Sequence, residues 1–285
     1  MAEVFGISRQ GFYKKLNRLK QDEKAQNIII EKVKQERKLQ PHYGGKKLYK
    51  DLQSFFVENQ IKIGRDAFLK LLKWNNLQIK KSKNFHTTTN SKHRFFRNPN
   101  RLNDLVITRS EQVWVSDITY IKIQENHAYL ALVTDAYSKK IMGYKIANHM
   151  RTELVLDALK MALKNKKHHN RELIHHSDRG IQYCSPEFTQ FAENNGIKLS
   201  NTQNSDPYEN AIAERINRTI KYEYGLKQNI PDLKTAEKMV EKAVELYNNR
   251  RLHLSLNYQT PALVHLSENV IYKSYKSNKK KRILA

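Results

Sequence analysis

From residue 113 to residue 149 the sequence changes character and becomes three β-rich runs, VWVSDITYIKI, HAYLALVTDAY and KIMGYKIANH, parted by short polar breaks. Runs of this kind joined so tightly are expected to form an antiparallel meander. An alternation follows. RTELVLDALKMALKNK has the spacing of an amphipathic helix, and ELIHHSD reads as a short strand with its exit. SPEFTQFAENNG is a helix with Ser185 as cap, Pro186 at its first position and Gly196 closing it. IKLSN is a further strand, TQNSDPYE a polar loop, and NAIAERINRTIKYEY a long helix. The order β-β-β-α-β-α-β-α is that of a mixed α/β domain.

The sequence before this domain is helical in character. Residues 2–19 read as the end of one helix, a turn at Gly6 and a helix capped by Ser8, which is the second half of a helix-turn-helix. Its first helix would be too short to pack alone, so the expectation is either a truncated motif or an upstream half on another polypeptide. Residues 22–39 read as a separate charged helix with a narrow stripe of Ile28, Ile29 and Val33. Beyond Pro41, Leu48, Leu52, Phe55 and Phe56 have helical spacing, a turn runs through Asn59–Gly64, and RDAFLKLLKWNNL is another helix with Phe68, Leu69 and Leu72 inward. This pair is a second helix-turn-helix candidate, with Arg65, Lys70 and Lys73 free to face DNA; the alternative is an ordinary helical hairpin. Residues 80–103 are aperiodic and rich in Lys, Arg, Ser, Thr and Asn, as a linker anchored by Phe85, Phe95 and Phe96 would be. At the other end, a helix from about Leu233 to Asn249 precedes a basic tail with lysines at 279–281.

Charge points to the partner. The 285 residues carry 52 Lys and Arg against 28 Asp and Glu, a formal net charge of +24. The excess lies in the first hundred residues and in the last sixty, around a nearly neutral centre. A cationic flank on each side of a neutral core suits a polyanion, because Lys and Arg neutralise phosphates and release counterions. The single cysteine, Cys184, excludes a disulfide framework and a multi-cysteine zinc site. A zinc site built on His175 and His176, or on His168 and His169, lacks the N/S ligands it needs; His176 is expected to orient a neighbour or to pack near the active site. No apolar run approaches the roughly 20 residues that span a bilayer, and the first ten residues lack the apolar stretch of a signal peptide. The expectation is an intracellular protein with no membrane partner.

Three acids stand out by position. Asp117 lies in the middle of the first strand, where acids are disfavoured. Asp178 sits just past the end of a short strand, where open α/β sheets present functional groups. Glu214 lies on the last helix of the core, with thirty-five residues between it and Asp178. Lys221 is seven residues beyond Glu214, which returns it to within about 20° of the same helical side. Arg218 falls on that face too, and Asn210 begins it. Three carboxylates held together repel one another unless a cation neutralises them. Oxygen donors without Cys or His favour Mg²⁺ or Mn²⁺, and a carboxylate-held pair of such ions suits phosphoryl transfer. Each acid taken alone is equally a strand-edge charge, a turn former or a solvated helix residue.

The runs WVSDITY (114–120), HSDRGIQY (176–183) and ENAIAERINRTIK (209–221) resemble the insertion-sequence transposases of the retroviral-integrase superfamily, above all the second-frame product of the IS-three family. HYGGKKL (42–48) is similar to that family's integrase-type helix-turn-helix, DAYSKKIMG (135–143) to its turn between the second and third strands, and YNNRRLHLSLNYQTP (247–261) to its C-terminal signature. Glu209 and Asp206 depart from the family's usual Asp and Gly, which bears on loop geometry. The resemblance implies a ribonuclease-H-like mixed five-stranded sheet with helices, preceded by a small all-α helix-turn-helix DNA-binding region. It implies that Asp117, Asp178 and Glu214 are catalytic acids holding two Mg²⁺ or Mn²⁺ ions. Lys221 matches a position that contacts the transposon end near the scissile phosphate; Asp135 belongs to a turn and is left outside the metal site.

The expected organisation is a partial helix-turn-helix over 1–20, an integrase-type helix-turn-helix region over 21–79, a basic linker over 80–104, a catalytic core over 105–225 and a C-terminal helical subdomain with its tail over 226–285. The expected function is metal-dependent cleavage and strand transfer of an insertion sequence. Its partner is double-stranded DNA, bound through Arg65, Lys70, Lys73, Arg218 and Lys221. The resemblance adds homo-oligomers on DNA, a bacterial cytoplasmic, nucleoid-associated setting, and an upstream-frame helix-turn-helix protein or fusion. The rival readings are a nuclease of the same fold without strand transfer and a catalytically silent DNA-binding regulator.

Overall fold

The computed structural model describes residues 8–79, 98–103, 105–124, 126–203 and 210–267. The chain divides into two compact units, Met1–Ser82 and Lys83–Ala285. The upstream piece of the first expected helix-turn-helix, most of the linker with Phe85, Phe95 and Phe96, the loop bearing Asp206 and Glu209, and the tail lysines lie outside the described residues.

Among its described residues, the first unit is built of helices and their connections. α1 spans Arg9–Leu39, and the Ser8 hydroxyl caps it by accepting from the Gly11 N–H at 3.1 Å. The cap is where the sequence places it, but the two helices expected on either side of residue 20 are one continuous helix. The stretch LKQDEKAQ contains no Pro or Gly and consists of good helix formers, so nothing there breaks the hydrogen-bond ladder. Only the second half of α1 buries residues, among them Ile29 and Val33. These pack against α2 (Gly45–Asp51), α3 (Gln53–Glu58) and α4 (Arg65–Trp74) around Leu48, Phe56, Phe68 and Leu72. Arg37 donates from Nη1 to the Leu77 carbonyl and ties the segment after α4 to α1.

The second unit is built on a five-stranded sheet. β1 (Val113–Ile123), β2 (Asn126–Asp135) and β3 (Ile141–Ala147) form the expected antiparallel meander. The chain then crosses through α5 (Thr152–Lys164), and β4 (Leu173–Ser177) pairs in parallel with β1. After α6 (Pro186–Asn194), β5 (Ile197–Asn201) pairs in parallel with β4, giving the strand order β3-β2-β1-β4-β5. This mixed sheet flanked by helices is the ribonuclease-H-like arrangement expected from the sequence.

Alternation of side chains sorts the core onto the two faces. Trp114 of β1 joins α5 and α6 on one face, with Leu154, Leu159 and Phe188. On the other face, Ile121 of β1 and Leu130 and Leu132 of β2 meet α7 (Ala211–Glu223) and α8 (Leu233–Asn249) through Ile216, Ile220, Val240 and Tyr247. Gly143 explains the close seat of α5. A Cβ there would stand 2.1 Å from the Ala158 carbonyl oxygen and 2.6 Å from the Ala162 nitrogen, so only glycine lets strand and helix backbones meet. A short 3₁₀ turn (Leu254–Leu256) and α9 (Pro261–Leu266) complete the unit, with Leu256 and Val264 buried against Tyr137.

A buried polar knot ties α9 to the sheet. Asp135 accepts from the Glu111 N–H, the Ser138 N–H and the Ser138 hydroxyl at 2.6–2.7 Å. His265 Nδ1 lies 3.0 Å from the Ser138 hydroxyl, and its Nε2 lies 3.4 Å from Glu111 Oε1. The Glu111 carboxylate also accepts from the N–H groups of Lys167 and His168. Although burial opposes ionisation, the bonds from His265 and those two N–H groups hold Glu111 down at about 2. His265 is raised by the carboxylates of Asp135 and Glu111 against the opposing effect of its own burial. Asp135 thus serves the turn and this knot, as its expected structural role requires.

Candidate active site

The parallel pairing of β1 with β4 brings two of the candidate acids together. Val115 stands opposite His176 and Ser116 opposite Ser177, so Asp117 and Asp178 are the next residue on each chain. Asp117 lies on the β1 face that carries Val113 and Val115, and the same face is covered by Ala213 of α7. Glu214 follows Ala213 directly, in the first turn of that helix and exposed.

Asp117 is half-buried and its oxygens have defined partners. Oδ1 accepts from the Ile118 N–H at 2.9 Å, and Oδ2 accepts from Asn217 Nδ2 at 2.9 Å. Both bonds favour the charged form, yet burial and the neighbouring carboxylates of Asp178 and Glu214 push Asp117 up to about 7. Asp178 Oδ1 accepts from the Gly180 N–H at 3.0 Å, and its carbonyl accepts from Asn201 Nδ2 at 3.2 Å. Glu214 is raised as well, by burial and then by Asp178. The Tyr183 hydroxyl, fully buried below the sheet, is pushed up by burial and by the charges of Asp117 and Asp178. The three acids therefore share one electrostatic neighbourhood. Among the described residues, no three His, Cys, Asp or Glu side chains stand close enough to enclose an ion together.

The helix that bears Glu214 differs in one respect from the face drawn on the sequence. Asn210 does not share the open face. It turns inward at the N-cap and donates from Nδ2 to the Ser116 carbonyl at 3.0 Å. Its buried neighbour on the helix, Asn217, escaped sequence reasoning. Asn217 lies three residues after Glu214 and four before Lys221, so helical spacing alone would have placed it beside both. Arg218 is exposed, with its guanidinium 5.8 Å from the Tyr222 ring centre. Lys221 holds its ammonium 3.8 Å from the Tyr120 ring centre, and burial followed by the Lys227 charge lowers its pKa.

Two consecutive histidines of β4 brace the neighbouring strands, one from each face of the sheet. His175 Nε2 lies 2.7 Å from the Ser116 hydroxyl, beside the Phe188 and Tyr183 rings, and burial holds it neutral at about 3. His176 Nδ1 meets the Ser200 hydroxyl at 2.8 Å across β4 and β5. Arg65, Lys70 and Lys73 belong to the first unit, exposed on α4 while Phe68, Leu71 and Leu72 of that helix are buried. Arg65 also pairs with Asp66 at 3.0 Å.

Two family models described as integrase core domain match residues 107–207 and 195–261. The first includes Asp117 and Asp178, the second Glu214 and Lys221. A 31 kDa protein of insertion element IS600 from Shigella sonnei is 35% identical over 266 residues, 92% of this chain and 96% of the relative. The transposase for insertion sequence element IS904 from Lactococcus lactis subsp. lactis is 31% identical over 194 residues, 67% of this chain and 76% of that protein. Among solved structures, the intasome of simian T-cell lymphotropic virus is similar with a TM-score of 0.49 at 18% identity, over 73% of this chain and 69% of that one. The catalytic unit is thus an integrase core. The chain belongs to the insertion-sequence transposases of the retroviral-integrase superfamily, and it is a DNA transposase, a polynucleotidyl transferase of the DDE type.

Proposed function

We propose that Asp117, Asp178 and Glu214 are the catalytic acids of this transposase and hold a pair of divalent cations, Mg²⁺ or Mn²⁺, at which the ends of an insertion sequence are cut and joined to a second site. The observation that carries this reading is the pairing of β1 with β4 and the seat of α7 on β1, which bring Asp117 and Asp178 side by side with Glu214 in the same neighbourhood; burial and then the other two acids push Asp117 up. A fold gains no stability from carboxylates that repel one another, so their gathering calls for a cationic partner. The donor set, three carboxylates, is all oxygen and fits hard divalent ions. Ions bound there would polarise a phosphoryl oxygen and acidify an attacking hydroxyl or water.

The chain's own groups have separable tasks on this reading. Asn217 and the Ile118 N–H fix the Asp117 carboxylate and favour its charged form. The parallel pairing of β1 and β4 sets the spacing of Asp117 and Asp178, while α7 delivers Glu214. Lys221, on the same helix, is placed to meet a backbone phosphate close to the reacting one, and Arg218 to meet its neighbour. In the helical unit, Arg65, Lys70 and Lys73 of α4 contact double-stranded DNA. The family resemblance supports work on the nucleoid of a bacterial cytoplasm, as an oligomer on DNA, and with an upstream-frame helix-turn-helix protein or fusion.

The test is an in vitro reaction with duplexes that carry the element's own ends, taken from the DNA flanking the gene. Wild-type protein with Mg²⁺ or Mn²⁺ is expected to give joined products, and Asp117→Asn, Asp178→Asn and Glu214→Gln to bind DNA and give none. Nicks without joined products would make the protein a nuclease. Undiminished joining by Asp117→Asn would remove that acid from the site.

A further inference from the structure

The C-terminal run YNNRRLHLSLNYQTP supplies no acid and no phosphate contact to the reading above, yet it converges on α7. Glu223, the last residue of α7, receives two hydrogen bonds from Arg251: Nε to Oε2 at 2.7 Å and Nη2 to Oε1 at 2.8 Å. This is the two-pronged geometry that fixes orientation as well as distance. The remaining guanidinium nitrogen, Nη1, lies 2.9 Å from His253 Nε2. The His253 ring stands edge-on to Tyr247 at 5.1 Å, and Tyr247 is wholly buried against Ile216 and Ile220 of α7. Backbone bonds close the brace, since the Arg251 N–H donates to the Leu246 carbonyl at 3.0 Å and the His253 N–H to the Gln259 carbonyl at 3.1 Å. The side chains of Arg251 and Glu223 are only 9% and 20% exposed, so the pair is shielded from competing water and salt.

Its position on the helix gives the brace a purpose. Glu223 comes nine residues after Glu214 and two after Lys221, which puts it about 180° and about 160° around the helix from them. The brace therefore grips the back of α7 while Glu214 and Lys221 point from the front. The bonds of Asn210 to the Ser116 carbonyl and of Asn217 to Asp117 hold the first two turns of α7; the bidentate grip on Glu223 fixes the rotation of its last turns.

We propose that Arg251, acting through Glu223, is a positioning residue for transposition: it sets the rotation of α7 and with it the placement of Glu214 and Lys221. The inference rests on the assignment of Glu214 and Lys221 given above. Loss of the grip displaces a reacting group without removing any charge from the DNA-facing surface. The chemical step then suffers while affinity, carried by many phosphate contacts, does not.

The experiment uses the full chain with a duplex bearing the element's end and reads the single-turnover joining rate at saturating DNA, the half-saturating DNA concentration and the melting temperature. Arg251→Ala and Glu223→Gln are expected to lower the maximal rate by about 10- to 100-fold with half-saturation unchanged, at a temperature where both remain folded. Arg251→Lys, which keeps the charge and one of the two bonds, is expected to recover part of the rate. Should Arg251→Ala not fold, Arg251→Lys and Glu223→Gln decide. Wild-type rates in the folded variants, or a rate loss that vanishes once cooling restores full folding, overturn the proposal. Glu214→Gln run in parallel separates the two readings: full activity there sinks the assignment of the acids, whereas its inactivity beside an active Arg251→Ala sinks only the positioning role.

Discussion

Replacing Asp117 by asparagine is expected to make the protein more stable at neutral pH while abolishing its chemistry. Asp117 ordinarily would titrate near 3.8 and is held up at about 7. A carboxyl whose folded pKa exceeds its unfolded value binds its proton more tightly when folded. Its ionisation therefore costs stability progressively as pH rises from about 4 to about 7, and the cost stays constant above that. A displacement of this size corresponds to about 4 kcal/mol at full ionisation. Asparagine removes the charge but leaves one acceptor for the two donors, the Ile118 N–H and Asn217 Nδ2. An unmatched donor costs about 1–3 kcal/mol, so a net gain of about 2 kcal/mol is expected, or roughly 4–8 °C in melting temperature for a unit of this size. The assay is thermal unfolding of both proteins in chelator from pH 4 to pH 8. The variant should be the less stable of the two near pH 4, by about 1–3 kcal/mol; the order should reverse at about pH 5–6 and the gap level off above pH 7. Adding Mg²⁺ should then raise the wild type towards the variant, because an ion bound only by the folded state stabilises it. A variant no more stable than wild type at pH 8 would refute the premise that these acids strain one another.

Four further outcomes follow from features elsewhere. Gly143→Ala forces a methyl group into the α5 backbone and should cost about 3 kcal/mol, read as a fall in denaturation midpoint with an unchanged slope. Glu111→Gln strips the buried knot of its counter-charge and should cost about 3–5 kcal/mol. Because Glu111 is held at about 2, its contribution is complete above the ordinary carboxylate value and lost as pH falls through 2. His265 is raised, so its contribution is present below about 6.5 and disappears as pH climbs through its folded value. Urea unfolding of wild type and His265→Gln across pH 5 to 9 should therefore converge at the alkaline end. Lys70→Ala and Lys73→Ala should each reduce the slope of log affinity against log salt by about 0.9 in filter-binding titrations with duplex DNA; an unchanged slope would remove that lysine from the interface.

The elements of the sheet were legible because their signals are local. Alternation marks β1 to β3, and Ser185 with Pro186 marks the start of α6. Asp117 and Asp178 were visible as polar residues at places where a strand would rather be apolar or is ending. What the sequence hides is whatever depends on long-range approach. Asn217 looks like any helix asparagine until Asp117 arrives from a hundred residues away. His175 reads as one of several histidines, although its bond to Ser116 lies directly behind the acid-bearing strand. Asn210 was assigned to the wrong side because helical arithmetic extends poorly to a cap, whose backbone has already left the helix. The first helix was cut in two because a helix-turn-helix was expected there, whereas the residues themselves offer no break.

The order in which the acids meet also governs what a half-made chain can do. On a ribosome, β1 to β3 can close into a meander as soon as Ala147 emerges, since antiparallel neighbours are adjacent in sequence. The partnership of Ser116 with Ser177 must wait for some thirty residues more, and Asn248, which bonds both backbone groups of Ile141, comes over a hundred residues after that strand. Nascent polypeptides thus carry the β1–β3 meander before β4 has brought Asp178 beside Asp117.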